Sequence, residues 1–264
     1  VILAAGMSSR MKKSIDSDID DSKADEANKK SKSLITFGDK PFIYFLLKNI
    51  VEAGFENVIM VVGKDFDDFK KQLNNLNFNN KLKIDYAIQK IPKDRVKPFG
   101  TADAVFQTMD QIEILKNSSF CVCNSDNLYS TNSLRTIREN AYENAVLAYD
   151  RDSLNFPKER VSSFSILMTD DNFNLLNFIE KPTQEQVDQN LDSNGKIRVS
   201  MNIFKFNGLQ AFDFIKNCPI NHIRNEKELP SAIVNMINEN DLYMKGIPIA
   251  EHVPDLTSKA DINI

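Results

Sequence analysis

The chain opens Val1-Ile2-Leu3-Ala4-Ala5-Gly6-Met7-Ser8-Ser9-Arg10, and a single lysine follows at a distance in Ser31-Lys32-Ser33-Leu34. An apolar run that breaks into a turn of small residues and then an arginine has the form of a strand whose exit wraps a polyphosphate. Backbone N–H groups line such a turn and a cation stands beside them. A dinucleotide fingerprint would instead require three glycines in G-x-G-x-x-G, and only Gly6 is glycine here, so a hydride-transferring enzyme is a poor fit. The opening points to a nucleotide-handling enzyme. Because Val1 already lies inside the expected first strand, further residues are expected upstream of it.

Outward from this start, short apolar runs alternate with helical patterns, the rhythm of a parallel sheet covered by helices. Residues 41–53 read as a helix with Pro41 at its first turn, Phe42, Phe45, Leu46 and Ile50 on one face, and Gly54 as its stop. Strands are expected at residues 57–62, 83–89, 120–124 and 145–149, and helices around Phe66, Phe69 and Leu73 and at residues 101–109 and 131–140. The second half is richer in strand-like runs, at residues 161–169, 175–179 and 196–206, which suggests antiparallel additions to the sheet. Two late helices at 209–217 and 228–239 precede a last strand at 243–247. The expected architecture is α/β, three-layer and Rossmann-like, with a mixed, mainly parallel central sheet in a single domain over residues 1–264. A hexapeptide repeat of the β-helix kind is missing from the sequence.

Composition narrows the partners. With 33 basic against 37 acidic residues and a pI near 5.4, the chain has no basic field for nonspecific nucleic-acid binding. Its apolar runs are too short for a membrane-spanning helix. Cys121, Cys123 and Cys218 are odd in number and form no CxxC pair, which fits a reducing compartment, and a cytoplasmic location is expected. Residues 12–32 break the pattern: Asp16, Asp18, Asp20, Asp21, Asp25 and Glu26 precede Lys29, Lys30 and Lys32 with little to bury. A mobile loop is expected there, with Lys32 at its end.

The opening resembles the nucleotidyltransferase family that activates phosphorylated sugars and related alcohols, whose first strand ends in L-A-A-G, small residues, an arginine and then a lysine segment. Further segments match that family in order: residues 32–41, running from Lys32 to Lys40-Pro41; Gly100-Thr101-Ala102-Asp103; Asn124-Ser125-Asp126-Asn127; Glu180-Lys181-Pro182; and Val253-Pro254-Asp255-Leu256-Thr257. The resemblance implies that Leu3 binds the nucleotide and that the backbone N–H groups of Ala4, Ala5, Gly6, Met7, Ser8 and Ser9 with the Arg10 guanidinium hold the β and γ phosphates of an NTP. It places Lys32 at the α-phosphate, and Asp126 and Asp255 on Mg²⁺. It gives Gln89, Gly100, Thr101 and Ser125 to the nucleotide, and Glu180, Lys181 and Asn202 to a phosphorylated acceptor.

The chemistry explains these residue types, since bringing two phosphate anions together requires positioning and charge neutralisation above all. The implied reaction is transfer of a nucleoside monophosphate to a sugar 1-phosphate with release of pyrophosphate. Two alternatives stand beside it: a cytidylyltransferase acting on phosphocholine or another non-sugar phosphate monoester, and a nucleotide-sensing or scaffold module without turnover. The first draws support from departures. A glycine common in the opening loop is Ser8 here, and the strand that brings glycine to the sugar reads Val161-Ser162-Ser163-Phe164.

Overall fold

Apolar runs bounded by polar turns become buried strands in the computed structural model, which describes every residue except 15–18, 79, 240, 241 and 264. The chain forms two compact units, one of Val1–Pro98, Cys123–Arg135 and Pro254–Ile264, the other of Phe99–Val122 and Thr136–Val253.

The first unit contains β1 (Ile2–Leu3), α1 (Ser9–Lys13), α2 (Asp21–Lys29), the hairpin β2 (Thr36–Phe37) and β3 (Lys40–Pro41), α3 (Phe42–Glu52), β4 (Asn57–Val62), α4 (Asp67–Asn74) and β5 (Lys83–Ile88). Strand β4 pairs in parallel with β1 and β5, and β1 pairs in parallel with the end of β6 (Ser119–Asn124) through Ile2 to Cys123 and Leu3 to Asn124. Strands covered on both faces are apolar throughout; accordingly Val58, Met60, Val61 and Val62 are buried. Helix α3 buries Phe42, Ile43, Leu46, Leu47 and Ile50 along one stripe.

The expected loop at residues 12–32 is corrected in part: residues 15–18 lie outside the described residues, and residues 21–29 are helix α2. Local chemistry accounts for this helix. The Asp20 carboxylate accepts the Ser22 N–H as a cap, Asp21 and Lys29 complement the dipole at either end, and Asp25 pairs with Lys29 at 2.6 Å. One buried alanine suffices for anchorage, because Ala27 packs fully buried with Met11, Ile35, Phe42, Leu256 and Ile262. The Glu26 carboxylate accepts the N–H and hydroxyl of Thr36 at 3.0 and 3.1 Å. Burial pushes that carboxyl up, but bonds from Lys30 and Thr36 outweigh it and hold it below the ordinary glutamate value.

The second unit contains α5 (Thr101–Gln111), the start of β6, the end of α6 (Thr131–Glu139), β7 (Ala145–Asp150), α7 (Lys158–Val161), β8 (Ile166–Thr169), β9 (Leu175–Ile179), α8 (Gln184–Gln189), β10 (Arg198–Asn207), α9 (Gly208–Lys216), α10 (Leu229–Asn238) and β11 (Lys245–Ile249). Strand β10 runs antiparallel to β6, β7 and β8, β8 runs antiparallel to β9, and β11 is parallel to β7. The α/β class with a mixed sheet and antiparallel additions in the second half is therefore as the sequence suggests. Residues 161–169 are not all strand, however. The Pro157 carbonyl accepts the N–H groups of Arg160 and Val161, and the hydroxyls of Ser162 and Ser163 bond back to Glu159 and Arg160, so a helical turn precedes a strand that begins only at Ile166. The last strand starts at Lys245, two residues later than expected.

Between α8 and β10 the chain turns on Asp192, whose carboxylate accepts the N–H groups of Asn194 and Lys196 and the Arg198 Nε–H at 2.7 Å. The pair is buried, with side chains 3% exposed for Asp192 and 8% for Arg198. Burial pushes the Asp192 carboxyl up, yet the backbone and Arg198 bonds outweigh it and hold it below the usual 3.8. A depressed carboxyl contributes stability that is present above its unfolded value and lost as pH falls through the folded one. Asp192→Asn should cost roughly 3 kcal/mol at neutral pH by stranding a buried guanidinium. Urea denaturation at several pH values checks this: the gap between variant and native protein should narrow as pH falls below the ordinary aspartate range, and a gap independent of pH would refute the assignment.

Candidate active site

The phosphate-type loop begins where β1 ends. Leu3 accepts the Ser125 N–H at 3.1 Å, and the Ala4 N–H donates to the Val61 carbonyl at 2.8 Å. Ala4 is thus corrected as a backbone donor toward a ligand, because its N–H is committed to the sheet. The chain then leaves the strand through Ala5, exposed Gly6 and exposed Met7. Ser8 is buried in the left-handed conformation with φ 55°, Ser9 begins α1, and Arg10 lies exposed on its first turn.

Two residues named from the sequence pair in this unit, and the main chain of a third, Asp255, runs beside the second. The Lys32 ammonium bonds the Asp126 carboxylate at 3.0 Å, with side chains only 10% and 27% exposed. Lys32 opens a single helical turn whose next residues, Ser33, Leu34 and Ile35, are buried, so its backbone is anchored in the core while its long side chain reaches out. Asp126 stands at the exit of β6, and the segment after it lies antiparallel to residues 254–256. The Leu256 N–H donates to the Asp126 carbonyl at 2.9 Å, the Leu128 N–H to the Pro254 carbonyl at 2.8 Å, and Asn127 faces Asp255. The two aspartates therefore share one short ladder, one position out of register. The Thr257 hydroxyl donates to the Asp255 carboxylate at 2.9 Å.

A hard divalent cation takes oxygen ligands, and Mg²⁺ is commonly held by one or two carboxylates with phosphate and water completing its shell. Asp126 and Asp255 offer carboxylate oxygens only. Among the described residues no three His, Cys, Asp or Glu side chains gather as a metal-binding group. The donor set suits a divalent cation shared with a phosphate ligand and does not suit an all-protein cage.

Gln89, also in this unit, is buried, and its N–H continues the β5 ladder to the Val62 carbonyl at 2.8 Å. The remaining candidates belong to the second unit. Gly100 precedes α5 with φ 104° and ψ −179°, and a Cβ there would stand 2.2 Å from the Lys227 carbonyl oxygen. The Thr101 hydroxyl accepts the Leu229 N–H at 2.9 Å and so caps α10, which its own N-cap residue Glu228 leaves without a side-chain bond. Both residues thus have a structural task that sequence reasoning missed.

Glu180 accepts Arg224 at 3.1 Å, and Arg224 also bonds Glu228 at 2.7 Å. Arg224 carries no signal in the sequence, because it sits in an aperiodic loop after Pro219. Lys181 and Asn202 are exposed and both are left-handed, at φ 47° and 57°. Asn202 falls where the pairing of β10 with β7 shifts between Ser200 and Phe204. Left-handed backbone at non-glycine residues is uncommon, and asparagine tolerates it better than lysine.

An α/β chain whose first strand exits into a small-residue turn and an arginine, with a lysine set on the aspartate that ends a neighbouring strand, has the makings of a phosphate-handling protein. Residues 27–247 match the model of the nucleotidyl transferase family, and the chain belongs to that family. It is 27% identical over 192 residues to a glucose-1-phosphate adenylyltransferase of Photobacterium profundum, a match covering 69% of this chain and 43% of that protein. The bifunctional protein GlmU of Staphylococcus saprophyticus is 21% identical over 263 residues, 100% of this chain and 49% of that protein. A glucose-1-phosphate thymidylyltransferase of Neisseria gonorrhoeae is 23% identical over 158 residues, 60% of this chain and 51% of that protein. The chain spans about half the length of the curated relatives it matches. A UDP-glucose pyrophosphorylase solved with UDP-glucose shares the fold with a TM-score of 0.68 at 16% identity, covering 99% of this chain and 94% of that one. Among the described residues no helix is long and apolar enough to cross a membrane.

Proposed function

We propose that this protein transfers a nucleoside monophosphate from an NTP to a phosphorylated acceptor, most simply a sugar 1-phosphate, giving an NDP-sugar and pyrophosphate. The observation that carries the reading is the Lys32 ammonium set on the Asp126 carboxylate in the unit that also holds the loop of Ala5 to Arg10. Two relatives named for glucose 1-phosphate support the acceptor.

In this reading an acceptor phosphate oxygen attacks the α-phosphorus of the NTP. A new P–O bond forms there as the bond to the bridging oxygen breaks, and the electron pair departs with pyrophosphate. No covalent enzyme intermediate is needed. Arg10 offers a forked guanidinium to the β and γ phosphates, with the backbone N–H groups of the loop from Ala5 to Ser9 beside it. Lys32 stabilises charge developing at the α-phosphate. Asp126 and Asp255 would hold a divalent cation, Mg²⁺ in our reading, which when bound supplies charge neutralisation across the triphosphate. Gln89, Gly100, Thr101 and Ser125 serve the nucleotide, and Glu180, Lys181 and Asn202 the acceptor. We read residues 1–264 as one catalytic domain working in the cytoplasm.

Pyrophosphate release with Mg²⁺, measured across the NTPs and a panel of hexose 1-phosphates, phosphocholine and other phosphate monoesters, tests this. One productive pair with a hexose 1-phosphate is the expected result. Turnover with phosphocholine alone would replace the acceptor, and NTP binding without any release would leave a sensing module.

A further inference from the structure

Ser8 is the residue just before α1, the place where a serine hydroxyl normally accepts a backbone N–H of its own helix. Here it makes no such bond. The residue is instead buried in the left-handed region, at φ 55° and ψ 28°, a conformation that favours glycine. Its Oγ accepts the backbone N–H of Lys32, 3.2 Å away and 24 positions along the chain. Lys32 in turn sends its ammonium to Asp126. The hydroxyl therefore ties the loop after β1 to the main chain of the lysine segment, and a glycine, though easier on the backbone, could not make the tie.

We propose that Ser8 is a positioning residue for Lys32: its side chain fixes the backbone from which the Lys32 ammonium is aimed at the reacting phosphate. This rests on the nucleotidyl transfer reading and adds to it a role for the Ser8 side chain distinct from any contact its backbone makes with phosphate. A group that acts through Lys32 has its effect where Lys32 has its own, on charge developing in the transition state, so kcat is the parameter that should respond.

The test compares Ser8→Gly and Ser8→Ala with the native protein. Ser8→Gly removes the hydroxyl but relieves the left-handed backbone, so its Tm should stay above that of Ser8→Ala, which loses the same bond and keeps the strain. Its kcat should nevertheless fall about tenfold while KM for the NTP stays within about twofold. Ser8→Ala should lose kcat equally, with a lower Tm. In a Lys32→Ala background, Ser8→Gly should have no further effect on kcat, because what it positions is gone. Hydrogen exchange in the ligand-free protein gives a readout without turnover: the Lys32 amide should lose protection in Ser8→Gly. Unchanged kcat, a rise in KM alone, an undiminished effect in the Lys32→Ala background, or unchanged amide protection would each overturn the proposal. A native protein that releases no pyrophosphate with any pair would sink the transferase reading and the catalytic role together, and this is seen before any variant is made.

Discussion

Asp126→Asn should lower the rate of pyrophosphate release by about 10³-fold, which corresponds to roughly 4 kcal/mol of transition-state stabilisation. Asparagine keeps the shape and can still bond Lys32 through its amide oxygen, so the Asp126 carbonyl should stay in its ladder with Leu256. What it loses is the negative charge, and with it a hard oxygen ligand for a divalent cation. The comparison is kcat by a coupled pyrophosphate assay against NTP affinity measured by calorimetry in EDTA. We expect the first to collapse and the second to hold within a few fold. Turnover within fivefold of the native protein would remove Asp126 from the reaction.

The choice of asparagine over alanine follows from burial. Asp126→Ala would leave the Lys32 ammonium, 10% exposed, without its carboxylate, and removing one partner of a buried pair costs more than the pair contributes. A loss of activity in that variant would then mix chemistry with stability. The ion pair also bears on how ligands enter. The Lys32 ammonium lies on the carboxylate that, in the proposed reaction, would hold a metal, so a cation and the lysine would compete for Asp126. Phosphate oxygens can bond both kinds of group at once, which would link nucleotide and metal binding by simple charge balance.

How much of this was legible in the sequence depends on how local each signal is. The strands Asn57–Val62 and Leu175–Ile179 fall within the expected bounds, because an apolar run closed by polar residues is a signal contained in the run itself. Helix α2 was missed, although Asp20, Asp21 and Lys29 are ordinary helix-end signals. With a single buried side chain, Ala27, it lacks the apolar periodicity on which the reading relied. The pairing of Lys32 with Asp126 joins residues 94 apart and leaves no trace in either neighbourhood. The same holds for Thr101 capping α10, a bond between residues 128 apart. Sequence motifs named the groups, whereas the ladder that brings the main chains of residues 126–128 and 254–256 side by side exists only in the fold.

Gly100 illustrates the difference, because its motif suggests a close approach to a base while its surroundings demand glycine for a second reason. At φ 104° and ψ −179° it occupies a region nearly reserved for glycine, where another residue costs about 1–3 kcal/mol. An added Cβ would also stand 2.2 Å from the carbonyl oxygen and 2.8 Å from the nitrogen of Lys227. That backbone has little freedom to retreat: the Lys227 N–H donates to the Phe99 carbonyl at 2.7 Å, and the Lys227 carbonyl accepts the Ala102 N–H at 3.0 Å. Overpacking of this kind adds about 1–3 kcal/mol, so Gly100→Ala should lower Tm by on the order of 10 °C. Gly195→Ala is the control, since Gly195 also has positive φ, at 70°, but nothing lies within 4 Å of its added Cβ. Conformation alone should then cost about 1 kcal/mol, or roughly 3 °C. If calorimetric melting gave the two variants equal losses, the contact with Lys227 would have no part in the requirement for glycine. With the expected difference, an NTP-binding defect in Gly100→Ala measured well below its melting point would report the second demand on this residue, the approach of a nucleotide, free of the first.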